Sequence, residues 1–341
     1  MNFITKKVPV YFMGISALFG AIISYSFVNI ANHHSPQILE TIPSTPTFAS
    51  SCGVNFSRLS GRKFIKPLLF AEKTCEAESF SSIRNSLSDL IENMKTTGDI
   101  NSASVYIRVF GKGEWMSINN ELKYQPGSLF KVPLMITYLR ISEQKPNFLE
   151  QKLTFNQITQ ESKGLKQEFL KEHIKLGNSY SIRDLLKYMI VHSDNNATML
   201  LMNNIPLAEL TKTITDLGLS KDLTNNDAVI SAQDYSLFWL ALYNGSYLSF
   251  ENSDYALTLL SQCDFTEGIV KGIPPNTRIA HKFGEKGNQN NHAFHETGII
   301  YINNNPYLIT VMTEGKDQKK LPKIIQEISK VVYTNIQSLT M

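Results

Sequence analysis

The spacing of apolar residues divides most of the chain into helices and strands. From about Ser79 the apolar residues recur every three or four positions, which predicts a helix with Gly98 soon after its end. Residues 104–110 and 115–118 then predict two strands joined by a glycine-containing turn. A mostly helical block follows, in which Ser181 begins a capping-box pattern.

Strand patterns return in the last third of the chain, over residues 278–283, 294–302 and 307–313. An amphipathic helix with apolar residues from Ile324 to Val332 on one side ends the chain. The two outer segments together predict one antiparallel sheet with helices packed against it, and the helical block predicts a second lobe. The fold class is therefore α+β, with a ligand cleft expected between sheet and lobe.

The first 78 residues follow a different pattern. Two lysines precede the uncharged apolar run 8–30, which reaches the roughly 20 residues that a membrane-spanning helix needs. The lysines predict that residues 1–7 are cytoplasmic, that 8–30 is a transmembrane signal anchor and that the body is exported. The segment 31–78, which begins rich in Pro, Ser, Thr and His, is interpreted as an extracytoplasmic tether and linker before a domain at 79–341. A cleaved signal, giving a secreted protein, is the alternative.

Composition adds two constraints. A chain of 341 residues can bury a substantial core, and its net charge of +3, without a basic stripe, argues against a nucleic-acid-binding protein. Of three cysteines, Cys52 and Cys75 precede the first helix in what is expected to be an oxidising compartment, so the sequence leaves open a disulfide between them. Cys263 follows an apolar run and is interpreted as a buried small side chain rather than a nucleophile.

The first of three short motifs contains Ser128 and Lys131. A turn signal precedes Ser128 and an apolar run follows it, which predicts a helix start with Lys131 one turn later on nearly the same face. The helix end favours a developing oxyanion, and a lysine buried among apolar neighbours can accept the serine proton because its pKa is lowered. A serine cap with a surface lysine is the simpler alternative. The same spacing occurs at Ser60–Lys63, near the tether, and at Ser142–Lys145, where a helix is ending.

The other motifs are Ser193-Asp194-Asn195 and Lys282-Phe283-Gly284. Ser193 lies between two predicted helices, where its hydroxyl could pass a proton to a leaving nitrogen while Asn195 holds a substrate amide. Lys282 and Gly284 end a strand beside the expected cleft, and the glycine allows another backbone to approach closely. A capped loop and a strand with an exposed lysine are the alternatives when each motif is taken alone.

The order and context of these motifs resemble the penicillin-recognising serine hydrolases, specifically the class A β-lactamase-like group, from about Ser79 to the C-terminus. The resemblance implies a β-lactamase/transpeptidase-like fold, with an antiparallel sheet flanked by helices plus an all-helical lobe, and a covalent acyl-enzyme formed without metal or cofactor. It assigns the following roles: Ser128 as nucleophile, Lys131 as general base, Ser193 as proton relay, Asn195 as substrate-binding amide, Lys282 as electrostatic anchor, Gly284 and Glu285 as substrate-binding residues, and the backbone N–H groups of Ser128 and Glu285 as oxyanion hole.

Two departures from that family concern the substrate. The family's third motif usually has a central hydroxyl that helps bind the substrate carboxylate, whereas Phe283 has none and Glu285 adds a negative charge close by. His281 or Arg278 is a candidate to offset this charge. Class A β-lactamases also hydrolyse the acyl-enzyme with a glutamate from a loop between the second and third motifs, and residues 210–250 contain no glutamate. Deacylation is therefore expected to be slow.

These features predict an exported, membrane-tethered serine acyl hydrolase that acylates Ser128 and hydrolyses a cyclic or D-amino-acid amide, with β-lactams as the first candidate substrates. A D-Ala-D-Ala carboxypeptidase or other peptidoglycan amidohydrolase, and a penicillin-binding sensor that stays acylated, remain open. The expected partners are a small-molecule β-lactam or peptidoglycan peptide and, through the N-terminal helix, the membrane. No nucleic acid is expected, and the chain is expected to be a monomer.

Overall fold

The computed structural model describes residues 52–158, 169, 171–225, 227–287, 291–302 and 305–340. The predicted anchor at 8–30 and the first part of the tether lie outside these residues. Among the helices in the described ranges, none combines the length and the apolar character needed to cross a membrane. The fold described below is that of one compact unit, Cys52–Met341.

The strands and helices occur in the predicted order, with two pairs of strands added, one before the first helix and one within the helical block. The strands are β1 (Val54–Arg58), β2 (Leu68–Lys73), β3 (Ser102–Val109), β4 (Glu114–Ile118), β5 (Lys152–Thr154), β6 (Ser179–Ser181), β7 (Arg278–Gly287), β8 (His292–Tyr301) and β9 (Tyr307–Gly315). The helices are α1 (Ser81–Thr96), α2 (Lys131–Ser142), α3 (Ile182–Val191), α4 (Asn195–Met202), α5 (Leu207–Asp216), α6 (Ala232–Tyr243), α7 (Phe250–Ser261), α8 (Gly268–Lys271) and α9 (Leu321–Thr340).

Five strands form one antiparallel sheet in the order β4-β3-β9-β8-β7. The pairing of β3 with β9 joins the early hairpin to the late strands, as the sequence predicts. The expected α+β fold is therefore confirmed, and β7, which carries the third motif, lies at one edge of the sheet.

The two faces of the sheet pack against different helices because successive strand residues point to opposite sides. On β9, Leu308 and Met312 join a core shared with the helical lobe, whereas Ile309 and Val311 join a second core with α1 and α9. The same alternation places Lys282 on the lobe side of β7, and Phe283 belongs to the second core.

Residues 52–78 differ from the linker that the sequence predicts. Strands β1 and β2 pair there, and a disulfide joins Cys52 to Cys75. Phe70 is buried in the lobe-side core, and Arg108 of β3 donates to the Glu72 carboxylate at 3.0 Å. The strands were missed because β1 is exposed along its whole length, so its sequence shows no buried face.

Helix starts follow the predicted caps except at the first motif. Ser181 Oγ accepts the N–H of Asp184 at the start of α3, which confirms the capping box. Ser128 instead lies in a short 3-10 turn, Gly127–Phe130, and helix α2 begins at Lys131. Ser128 thus belongs to the 3-10 turn, and Lys131 is the first residue of the α-helix.

Candidate active site

Ser128 is half-buried in a turn that other parts of the fold hold in place. Its neighbour Leu129 is fully buried, and the hydroxyl of Tyr235 on α6 donates to the Leu129 carbonyl at 2.9 Å. The rival serines have different surroundings. Ser60 is exposed in the β1–β2 connection, and the Ser142 hydroxyl donates to Leu139 O at the end of α2. Of the three serines, Ser128 is the one whose turn packs against the strand of the third motif, since Gly127 and Leu129 on either side of it approach Glu285 and Gly284.

The Lys131 side chain joins the first motif to the second. Its Nζ donates to the backbone oxygen of Ser193 at 2.5 Å, to Ser193 Oγ at 3.0 Å and to Asn195 Oδ1 at 2.8 Å. Lys131 is 2% exposed, so these bonds form away from water. The structure therefore brings Lys131 together with Ser193 and Asn195, and Lys131 directly follows the turn that contains Ser128.

Burial gives Lys131 the property of a base. Desolvation lowers the pKa of Lys131 well below its usual value of 10.5, and the nearby Lys282 ammonium lowers it further, although Asp194 and Glu285 oppose the shift. Burial therefore shifts the equilibrium of Lys131 towards the neutral amine. A neutral Lys131 can accept the proton of an attacking hydroxyl.

Hydrogen bonds to the Asp194 carboxylate hold the loop of the second motif in place. Its carboxylate accepts the N–H of Asn196 at 2.8 Å as the cap of α4, and it also accepts the N–H of Ile174 at 2.8 Å. This confirms that Asp194 braces the loop. Ser193 has a φ of +57°, a left-handed conformation that non-glycine residues seldom adopt and that typically marks a functional site.

The third motif runs directly beside the Ser128 turn. A Cβ added to Gly284 would lie 2.7 Å from Pro126 O and 2.8 Å from Leu129 N, and one added to Gly127 would lie 2.6 Å from Glu285 O. These contacts require glycine on both sides of the interface. They bring the backbones of Ser128 and Glu285, the two expected oxyanion-hole residues, next to each other.

A Gly284→Ala substitution should therefore separate the strand from the turn. We expect a loss of about 1–3 kcal/mol in the free energy of unfolding, measured in urea, because an added methyl group would overpack the contact. Gly53→Ala is the control, since the nearest atom to an added Cβ there is 3.6 Å away. Equal stability of the two variants would contradict the close approach.

Lys282 is fully buried, but it turns towards its own strand. Its Nζ donates to Phe283 O at 3.0 Å and lies 4.0 Å from the centroid of the Phe283 ring. Burial lowers the pKa of Lys282, while the neighbouring Asp264 and Glu285 oppose this. Its predicted role as an anchor for substrate and relay stays a prediction, because Lys282 is placed on a carbonyl rather than on Ser193.

Phe283 belongs to an aromatic cluster, which explains its departure from the family pattern. Its ring stacks on Phe265 with centroids 4.5 Å apart, and Phe294 lies 5.9 Å away. Phe283 is 1% exposed, so it is a core residue and offers no surface to a ligand. Neither candidate for a compensating cation is placed to act. His281 is buried against the Glu296 carboxylate at 2.8 Å, and Arg278 stacks on a tyrosine.

Glu285 is held at the end of the motif by the region before α9. Gln318 Nε2 donates to Glu285 Oε2 at 2.7 Å. Beyond the aromatic cluster lies a cavity of about 800 Å³, whose lining includes Lys171, Lys271, Lys319 and Lys323. Four lysines and two carboxylates line this cavity, so it favours anions.

His295 contacts the turn that leads to Ser128, although no sequence pattern indicates it. It lies opposite Gly284 in the sheet, accepts the N–H of Thr313 at Nδ1, and donates from Nε2 to Gln125 O at 3.0 Å. This oxygen lies in the turn that leads to Ser128. Burial lowers the pKa of His295 to about 4, so the ring is neutral and keeps this pattern of donor and acceptor.

The side of the Ser128 turn that faces the segment between α5 and α6 is apolar. A small gap there is lined by hydrophobic side chains and one tyrosine: Pro126, Phe130, Pro133, Ile214, Leu223, Ile230, Tyr235 and Phe238. Asp222 accepts from Ser220 in an exposed turn, and Asp234 lies in the first turn of α6, where its backbone N–H donates to the Ser231 cap. The lining of this gap thus provides no carboxylate to activate water.

The sequence matches a known protein family along most of its length. The model of the Beta-lactamase enzyme family matches residues 82–336, which is most of the chain. The protein therefore belongs to this family. No curated protein matches the sequence.

Solved structures show the same fold at low identity. PBP-A has a TM-score of 0.61 and 19% identity, over 74% of this chain and 97% of its own. A β-lactamase from Chitinophaga pinensis has a TM-score of 0.64 and 19% identity, over 75% of this chain and 100% of its own. The class A β-lactamase from Mycobacterium abscessus has a TM-score of 0.62 and 17% identity, over 75% of this chain and 99% of its own.

Proposed function

We propose that this protein is an exported, membrane-tethered serine hydrolase that is acylated at Ser128 by cyclic or D-amino-acid amides, with β-lactams as the leading substrates. The observation that carries the proposal is the buried Lys131, which directly follows the Ser128 turn and bonds to Ser193 and Asn195. A neutral lysine can take the serine proton, and Ser193 can return a proton to the leaving nitrogen. The adjoining backbones of Ser128 and Glu285 would stabilise the oxyanion.

Three further observations support the proposal. A mutant of the structural neighbour PBP-A forms an acyl-enzyme complex with penicillin G, and it shares 18% identity with this chain. Export is supported by the Cys52–Cys75 disulfide, since such bonds persist in oxidising compartments, and tethering is supported by the apolar run 8–30.

A second candidate function is a D-Ala-D-Ala carboxypeptidase or a penicillin sensor. The observation that favours it is the apolar lining beside Ser128, where Phe130, Leu223 and Ile230 replace any carboxylate that could activate water. General-base assistance typically contributes about 10²- to 10⁴-fold to such a step. We therefore expect the acyl-enzyme formed from a β-lactam to be hydrolysed about 10²- to 10⁴-fold more slowly than one that has such a base.

The test is a time course of intact mass after penicillin G is added and the excess is removed. We expect an adduct that forms quickly and disappears slowly. Rapid turnover without an observable adduct would contradict slow deacylation and would leave a β-lactamase of ordinary speed. Release of D-alanine from a D-Ala-D-Ala peptide, measured by chromatography, then separates a peptidase from a sensor. Neither adduct nor turnover with either compound would overturn the proposed function.

A further inference from the structure

The strand pair β1–β2 exposes an unusual number of large apolar side chains. On the strands these are Val54, Phe56 and Leu68, which are 50%, 60% and 43% exposed. At the tip of the connection, Phe64 is 88% exposed and Ile65 is 59% exposed. A contiguous exposed group of this kind typically marks a surface that contacts a partner or a membrane.

The exposed residues share one side of the strand pair. Alternation along β1 places Val54, Phe56 and Arg58 on the outer face, and Arg58 pairs with Leu68 of β2. The inner face carries Phe70, which is 2% exposed and packs in the core. The outer apolar residues therefore do not contribute to the domain core.

Basic residues surround the same apolar tip. Arg58, Arg62, Lys63 and Lys66 are exposed, and residues 52–71 contain no acidic residue. Arg58 donates to Lys66 O at 2.9 Å, and Lys63 Nζ lies 5.0 Å from the centroid of the Phe64 ring. Aromatic and aliphatic side chains among lysines and arginines are the combination that binds the interface of an anionic bilayer.

The position of this strand pair in the chain also favours a membrane. Residue 52 follows a segment of 21 residues, 31–51, that separates it from the apolar run 8–30. Even a fully extended chain of 21 residues spans at most about 75 Å, which limits how far the domain can lie from a bilayer that holds the run. This step rests on the tethering proposed above.

The strand pair is attached near the β4 edge of the sheet, whereas the third motif lies on the β7 edge. Glu72 pairs with Arg108 of β3 at 3.0 Å, and Trp115 of β4 donates to Lys73 O at 2.8 Å. Strands β4 and β7 are the two edges of the five-stranded sheet, about 20 Å apart at the usual strand spacing. A bilayer that contacts β1–β2 would leave the β7 edge, which carries the third motif, accessible from the other side.

We propose that residues 54–68 form a membrane-contact surface, in which Phe64 and Ile65 insert at the interface and the basic residues bind anionic lipid headgroups. The contact orients the domain with its catalytic edge away from the bilayer. The basic residues set the preference for anionic lipid, and the apolar tip supplies the insertion.

The test places an indole at the tip of the full-length protein through a Phe64→Trp substitution. The protein is reconstituted into vesicles of brominated phosphatidylcholine, with or without phosphatidylglycerol, and its fluorescence is compared with that of the wild type in the same vesicles. We expect bromine quenching of the added indole in the anionic vesicles. Quenching should decrease at about 1 M salt, where the screening length is about 3 Å. It should also decrease when Arg62, Lys63 and Lys66 are all changed to Gln.

The matched control is Phe250→Trp, because Phe250 is 78% exposed at the start of α7. Its indole should not be quenched. Equal quenching at both positions would overturn the proposal, since tethering alone would then explain it. An unquenched, blue-shifted indole at position 64 would also overturn it, because another part of the protein would then cover the tip. If quenching at position 64 were unchanged both by salt and by the triple substitution, this would contradict the contact with lipid headgroups.

Discussion

Replacing Ser128 by alanine should abolish acylation by penicillin and reduce any hydrolysis by about 10⁴-fold or more. The side chain is the proposed nucleophile, and its neighbours cannot take its place. Ser193, the other hydroxyl of the site, is 1% exposed and accepts a hydrogen bond from Lys131. The measurement is the rate of acylation under single-turnover conditions.

The controls for this change come from the chain itself. Ser60→Ala and Ser142→Ala remove the serines of the two rival motifs, and both variants should react as the wild type does. Circular dichroism should show that all three variants are folded, because Ser128 is half-buried and belongs to neither core. If Ser142→Ala rather than Ser128→Ala abolished the reaction, the assignment of the nucleophile would be wrong.

Replacing Lys131 by methionine should slow acylation by about 10²- to 10⁴-fold, because the change removes the base but leaves the nucleophile and the oxyanion hole. The pH dependence provides a second readout. The neutral amine is the active form, so in the wild type the acylation rate should rise with pH through the lowered pKa of Lys131 and then level off. In the methionine variant this rise should be absent, as stopped-flow measurements across pH would show.

The free energy of unfolding should also depend on pH because of Lys131, and the lowered pKa fixes the direction of this dependence. Burial lowers the pKa of Lys131 in the folded protein, so between that pKa and 10.5 the unfolded chain binds more protons than the folded one. The free energy of unfolding of the wild type should therefore rise with pH through this window, relative to Lys131→Met. A Lys330→Met control, at an exposed position on α9, should leave the wild-type slope unchanged. Parallel slopes for wild type and Lys131→Met would contradict a buried, neutral lysine.

The sequence was sufficient to predict the elements that bury apolar residues in a regular pattern or a continuous run. Helix α1 buries one face, strands β3, β8 and β9 are buried along nearly their whole length, and these elements together with β4 and β7 lie within a few residues of their predictions. Strand β1 was missed because none of its residues is buried. An outward-facing strand leaves no periodic signal, and its partner β2 is held by long-range contacts such as Glu72 with Arg108.

The sequence predicted the site residues that belong to short motifs. It missed those whose role depends on contacts between distant parts of the chain. The Ser128, Lys131, Ser193 and Asn195 cluster follows from motif order, and the contacts of Lys131 join it as expected. His295 could not be found, because its role depends on its register opposite Gly284 and on a bond to Gln125 O. The sequence shows that Phe283 lacks a hydroxyl, but only the structure shows that its ring is buried against Phe265.

The measurement that tests the central claim most directly is the location of the acyl group. The protein is reacted with penicillin G, quenched in acid, digested and sequenced by tandem mass spectrometry. The account predicts a single modified residue, Ser128, in the turn Gly127–Phe130 that precedes Lys131. A modification on Ser193 or Lys131, or no covalent adduct in protein that is folded and has turned over the substrate, would contradict it.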